Sequence, residues 1–68
     1  MKTKDKPVEF EREARVAMSG LHTTMTRAQY RETLRRYGEW FFYNGVRRYF
    51  KAKHLGVGVW EVWSEARP

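Results

Sequence analysis

The sequence predicts an α+β fold: one or two N-terminal helices followed by a three-stranded antiparallel β-meander packed on the second helix. Three observations carry that prediction. Thr26 and Gln29 stand at capping-box spacing, ahead of a stretch in which Tyr30, Leu34 and Tyr37 recur at the helical interval. Asn44-Gly45 is a strong hairpin signal, because a type I′ turn needs φ > 0 at both central positions and these residue types adopt it most readily. The run EWFFYNGVRRYFKAKHLGVGVWEVW, from Glu39 to Trp63, holds most of the large apolar side chains and interleaves them with Arg47, Arg48, Lys51 and Lys53.

Size and composition bound what such a fold can be. The 68 residues suffice for a single small domain, and a chain this short buries only about 60% of the surface its unfolded form exposes. With no cysteine and two isolated histidines, neither a disulfide framework nor a structural zinc site is expected, and no cofactor is implied. Stability must then come from packing the rings that make up 16% of the chain, or from association. The net charge of +6 favours an anionic partner and equally suits a solvated surface. No apolar run approaches the ~20 residues of a membrane span. No apolar stretch follows the lysines of MKTKDKP either, so the chain is expected to be cytoplasmic and without membrane contact.

Met1 to Lys6 offers nothing to bury and reads as a flexible basic arm. The spacing predicts a first helix over 7–19. Pro7 suits its N1 position, Glu9, Glu11 and Glu13 complement its positive end, Gly20 follows as C′, and the apolar stripe is Phe10, Ala14, Ala17 or Met18, and Leu21. Its glutamates read as a solvated face rather than as catalytic carboxylates, since residues two apart point away from each other and Glu11 with Arg15 forms an i, i+4 pair. Leu21 to Thr24 reads as a linker, with His22 a surface histidine.

The second helix is expected over 26–38. Met25 and Tyr30 form a hydrophobic staple, and Arg27, Arg31, Arg35 and Arg36 give a basic outer side. Two endings compete: Gly38 as C′ leaves three strands, 39–43, 46–53 and 57–63, whereas a helix running on to Asn44 leaves a two-stranded hairpin. The continuous Trp40, Phe41, Phe42, Tyr43 fits a strand better than a solvent-facing last turn. The second turn is placed near His54-Leu55-Gly56, and Ser64 to Pro68 is expected to fray.

Strand alternation about Asn44-Gly45 divides the sheet. Phe41, Tyr43, Val46, Arg48, Phe50, Ala52, Trp60 and Val62 fall on one face, which packs on the second helix with Arg48 as its misfit. Trp40, Phe42, Arg47, Tyr49, Lys51, Lys53, Val59, Glu61 and Trp63 fall on the other. Rings interleaved with cations give bases a stacking surface and neutralise phosphates. The candidate binding residues are therefore Trp40, Arg47, Tyr49, Lys51, Lys53 and Trp63, with Arg27, Arg31 and Arg35 widening the positive field.

The leading expectation is a small basic nucleic-acid-binding accessory protein. The alternative is a regulatory or inhibitory interaction module, of bacterial or phage type, that docks an aromatic surface on a larger host protein or pairs as a homodimer, because Trp, Tyr and Arg also dominate protein hot spots. An arrangement in which the first helix returns to cover the rings is the third possibility. Without a nucleophile beside a histidine or a metal cluster, an enzyme is not expected.

Overall fold

The computed structural model describes residues 8–67 and contains two helices on a four-stranded antiparallel sheet. In chain order the elements are α1 (Glu11–Met18), β1 (Thr23–Thr26), α2 (Arg27–Tyr37), β2 (Trp40–Tyr43), β3 (Val46–Gly56) and β4 (Val59–Ala66). The strands lie in the order β1-β4-β3-β2. The expected basic arm and Pro7 lie outside the described residues.

α1 starts later than the expected residue 7. Phe10 keeps an extended φ of −143° and turns its ring into the core, while its carbonyl accepts the Ala14 N–H at 2.8 Å. Just before it, the Glu9 carbonyl accepts from Gln29 Nε2 at 2.7 Å, a bond to α2 that holds this residue outside the helix. Ala14 and Ala17 are fully buried, as their spacing from Phe10 requires. Leu21 leaves the stripe and is 65% exposed, because the chain departs at Ser19 and turns through Gly20 at φ +100°.

The main correction concerns strand number. Thr23–Thr26, expected as a linker running into a helix cap, is a strand: it pairs with the start of β4, Thr23 opposite Val62 and Met25 opposite Trp60. Met25, expected in a local staple with Tyr30, is a core residue at 2% exposure, and Tyr30 borders the same cluster. The strand passes straight into α2, whose capping box is complete. Thr26 Oγ1 accepts the Gln29 N–H at 3.1 Å and Gln29 Oε1 accepts the Thr26 N–H at 2.9 Å.

α2 ends where Gly38, at φ +81°, donates its N–H to the Leu34 carbonyl at 2.7 Å, so the longer helix is not formed. Asn44 (φ +51°) and Gly45 (φ +78°) then make the β2–β3 turn, with Tyr43 opposite Val46 and Phe41 opposite Arg48. β3 continues beyond the expected residue 53, and its turn to β4 is Val57-Gly58 rather than His54-Leu55-Gly56. One extra residue between His54 and Gly56 is taken up by a register shift, a bulge that lets the pairing with β4 resume at Val59. The tail expected to fray is paired as well: Ser64 lies opposite Phe50 and Ala66 opposite Arg48, and the Arg67 N–H reaches the Arg47 carbonyl at 3.1 Å. A β3 of this length offers ladder partners to residues that have little else to bury.

The core is Phe10, Ala14, Ala17, Met25, Phe41, Phe50 and Val62, bordered by Tyr30, Leu34, Tyr37, Tyr43 and Trp60. All the strand residues among them lie on one face, and both helices pack there. The second face therefore has no covering layer among the described residues.

Candidate functional site

Antiparallel pairing places directly opposed residues on the same side of a sheet, so the register defines the open face row by row. Phe42 faces Arg47; Trp40 faces Tyr49, which faces Glu65; Lys51 faces Trp63; Lys53 faces Glu61, which faces Thr24. Arg67, beyond the end of β4, and His22, before the start of β1, reach in from two corners.

The rings and cations of this face touch one another. The Arg47 guanidinium lies 5.8 Å from the Trp40 ring centroid and that of Arg67 lies 4.9 Å from Tyr49, both cation–π distances. Trp40 and Phe42 meet edge to face at 5.7 Å. His22 stacks on Trp63 with centroids 4.4 Å apart and planes 6° from parallel, and its Nδ1 lies 2.7 Å from Glu61 Oε2. Trp63 Nε1 donates to Glu65 Oε2 at 3.0 Å. Both carboxylates of the face thus serve to orient the Trp63–His22 pair, while Arg47, Lys51, Lys53 and Arg67 supply the positive charge. Trp40 and Phe42 remain 48% and 63% exposed.

Trp40, Arg47, Tyr49, Lys51, Lys53 and Trp63, all picked from the sequence, therefore share one surface. Arg27, Arg31 and Arg35 do not join them. They are exposed on α2, which packs on the opposite face, so the sheet separates them from the rings. The idea of a basic helix widening the field of the same surface is corrected accordingly. Arg35 also pairs with Glu32 at 3.3 Å. The expectation that α1 might cover the rings is corrected too, since Ala14 and Ala17 lie in the core beneath the other face.

His22 and Arg67 are the members that sequence reasoning missed. Each depends on a pairing, of β1 and of the end of β4, that no local pattern announces.

On the covered face, Trp60 lies between Tyr30 (5.9 Å) and His54 (4.6 Å). Burial, and secondarily the Glu39 carboxylate, pushes the Tyr30 phenol above its ordinary value of 10.0. Among the described residues no three His, Cys, Asp or Glu side chains gather as a metal site would require, and no helix is long and apolar enough to cross a membrane. Compared with protein-family models, curated proteins and solved structures, the chain gives no significant match.

Proposed function

We propose that the chain is a small nucleic-acid-binding accessory protein that lays unpaired bases on the open face of its sheet. A single observation carries the reading: Trp40, Tyr49 and Trp63 share an uncovered face with Arg47, Lys51, Lys53 and Arg67. Stacking on such rings contributes about 1 to 3 kcal/mol per base whatever the base, and the cations beside them meet the phosphates. His22 already stacks on one face of Trp63, so a flat ring is accommodated there and the outer face of His22 continues the stack. The role is binding rather than catalysis, and recognition is of shape and single-strandedness rather than of base sequence. Arg27, Arg31 and Arg35 are assigned no base contact.

The test is a fluorescence-anisotropy titration of labelled single-stranded and duplex oligonucleotides at two salt concentrations. Single strands should bind, and log K should fall with log salt by about 0.7 for each phosphate neutralised. No binding at low salt would end the proposal.

One observation favours a second reading, a protein-docking module or homodimer. β2 is an edge strand whose Trp40 and Phe42 are exposed, without the lysine or proline that usually guards such an edge. Sedimentation that gives a dimer, together with absent nucleic-acid binding, would move the assignment there.

A further inference from the structure

The open face is not uniform along its length. Its rings end at the row of Lys51 and Trp63; from there to the β3–β4 turn it carries Lys53, Glu61, Thr24 and Val59. That second half is about 17 Å long, five strand steps of ~3.3 Å from Lys51 to Gly56. It ends in an aliphatic tip: Val57 is 100% exposed, Leu55 51% and Val59 39%. Gly56 and Gly58 flank Val57, so the apex presents one narrow isopropyl group with open space around both glycines. The tip also has a basic collar. The Arg27 N–H bonds the Gly58 carbonyl at 3.2 Å, which sets the first turn of α2 and its exposed arginine beside the hairpin end, and Lys53 stands on the open face of the arm.

We propose that the preferred ligand is a nucleic acid with a single-strand/duplex junction. The unpaired strand lies on the rings, the duplex lies along the arm, and the Val57 tip enters its minor groove. The inference rests on the reading of the open face as a nucleic-acid surface. Rings on a sheet can stack only on bases that are not already stacked in a duplex, whereas a ring-free stretch carrying Lys53, with Lys51 at its boundary and Arg27 beside its tip, suits the phosphates of paired strands. A narrow aliphatic projection between cations matches the apolar wedges that side chains drive into the minor groove, and it is otherwise left in water. At ~3.4 Å per base pair the arm spans roughly five pairs, with the stacked Trp63 and His22 at the boundary as a platform for the last one. Because the same paired strands, β3 and β4, carry both halves, binding to the first raises the effective concentration of the second.

The experiment compares three labelled probes by anisotropy at one salt concentration: a single strand of about 16 nucleotides, a blunt duplex, and a duplex with a single-stranded tail. The tailed duplex should bind at least about tenfold tighter than either other probe, a conservative figure for linked sites. Val57→Asp should bring the tailed duplex down to single-strand affinity and leave the single strand unchanged; the fully exposed side chain makes unfolding by this change implausible, and circular dichroism checks it. Equal affinity for single strand and tailed duplex would overturn the junction proposal and leave the proposed function standing. No binding of any probe would overturn both. Capture of the protein on phosphatidylserine vesicles that is lost in Val57→Asp, with no preference for the tailed duplex, would overturn the junction and make the tip a lipid contact.

Discussion

Arg48 and Ser64 face the covered side of the sheet and are joined twice: Arg48 Nε donates to Ser64 Oγ at 2.9 Å, and Nη2 donates to the Ser64 carbonyl at 2.8 Å. Ser64 is 2% exposed, and its hydroxyl donates in turn to the Ala17 carbonyl at 2.6 Å near the end of α1. A residue that looks misplaced on an apolar face thus links β3, β4 and α1. The Arg48 head also lies where a side chain on Gly20 would be: a Cβ there would come 2.5 Å from Nη2.

Ser64→Ala should therefore destabilise the fold by about 1 kcal/mol, because Arg48 Nε loses its acceptor and the Ala17 carbonyl loses one of its two donors, while the Arg48 Nη2 bond to the residue 64 carbonyl and the Gly20 N–H bond to Ala17 remain. Gly20→Ala should also destabilise, through the clash and through its φ of +100°. Combined with Arg48→Ala, the Gly20 substitution should cost less than it does alone, since the clash is gone and only the backbone strain remains. Urea titration of the four proteins closes this cycle; strict additivity would show that the two side chains do not compete for the space.

Gln29 works at both ends of its amide. Its Oε1 closes the capping box and its Nε2 holds the Glu9 carbonyl. Gln29→Glu keeps the acceptor and removes the donor; Gln29→Ala removes both. Hydrogen exchange at the start of α1 should quicken in both variants, whereas the Thr26 N–H should lose protection only in the alanine. The alanine should cost about 1 kcal/mol, in the range of a lost cap.

The same residues show what the sequence could and could not convey. A capping box, an Asn-Gly turn and a glycine stop each act over four residues or fewer, so Thr26, Gln29, Gly38 and Asn44 announce themselves. β1 has one apolar residue, Met25, and its partners lie in β4, more than thirty positions on, so local pattern reads it as a linker. Local pattern alone does not locate the second turn, because Gly56 and Gly58 are both turn residues by type. Only the bulge after His54 decides between them. For the candidate site, alternation about the first turn places Trp40, Arg47, Tyr49 and Lys51 together, and a period of two needs nothing more. It says nothing of the side on which Arg27, Arg31 and Arg35 end up, which follows from Tyr30 and Leu34 packing on the core.

The two faces should respond differently to substitution. Phe50→Ala removes a core ring packed 4.6 Å from Phe41 and should cost about 3 to 5 kcal/mol, enough to unfold a domain of this size. Trp60 is only half-buried, so Trp60→Ala should cost less than a core ring. Arg47→Glu with Lys51→Glu, both exposed, should leave the melting temperature nearly unchanged while abolishing single-strand binding. If the charge pair unfolds the protein and Phe50→Ala does not, the assignment of the faces is inverted.

Tyr30 gives a dependence on pH whose sign is fixed. Its phenol is raised above 10.0, first by burial and then by Glu39, so the folded protein holds the proton more tightly than the unfolded chain does. That preference leaves stability unaffected well below pH 10. As the pH rises past 10.0 the unfolded chain loses the proton first, and the Tyr30 contribution is lost progressively up to the folded value. Tyr30→Phe has no proton to lose, so its denaturant midpoint should fall less steeply between pH 9.5 and 11 than that of the parent, roughly the interval around the ordinary tyrosine value. Tyr37, Tyr43 and Tyr49 are retained in both proteins and cancel in the comparison. Parallel curves would show that the phenol is no better protected in the fold than in the unfolded chain.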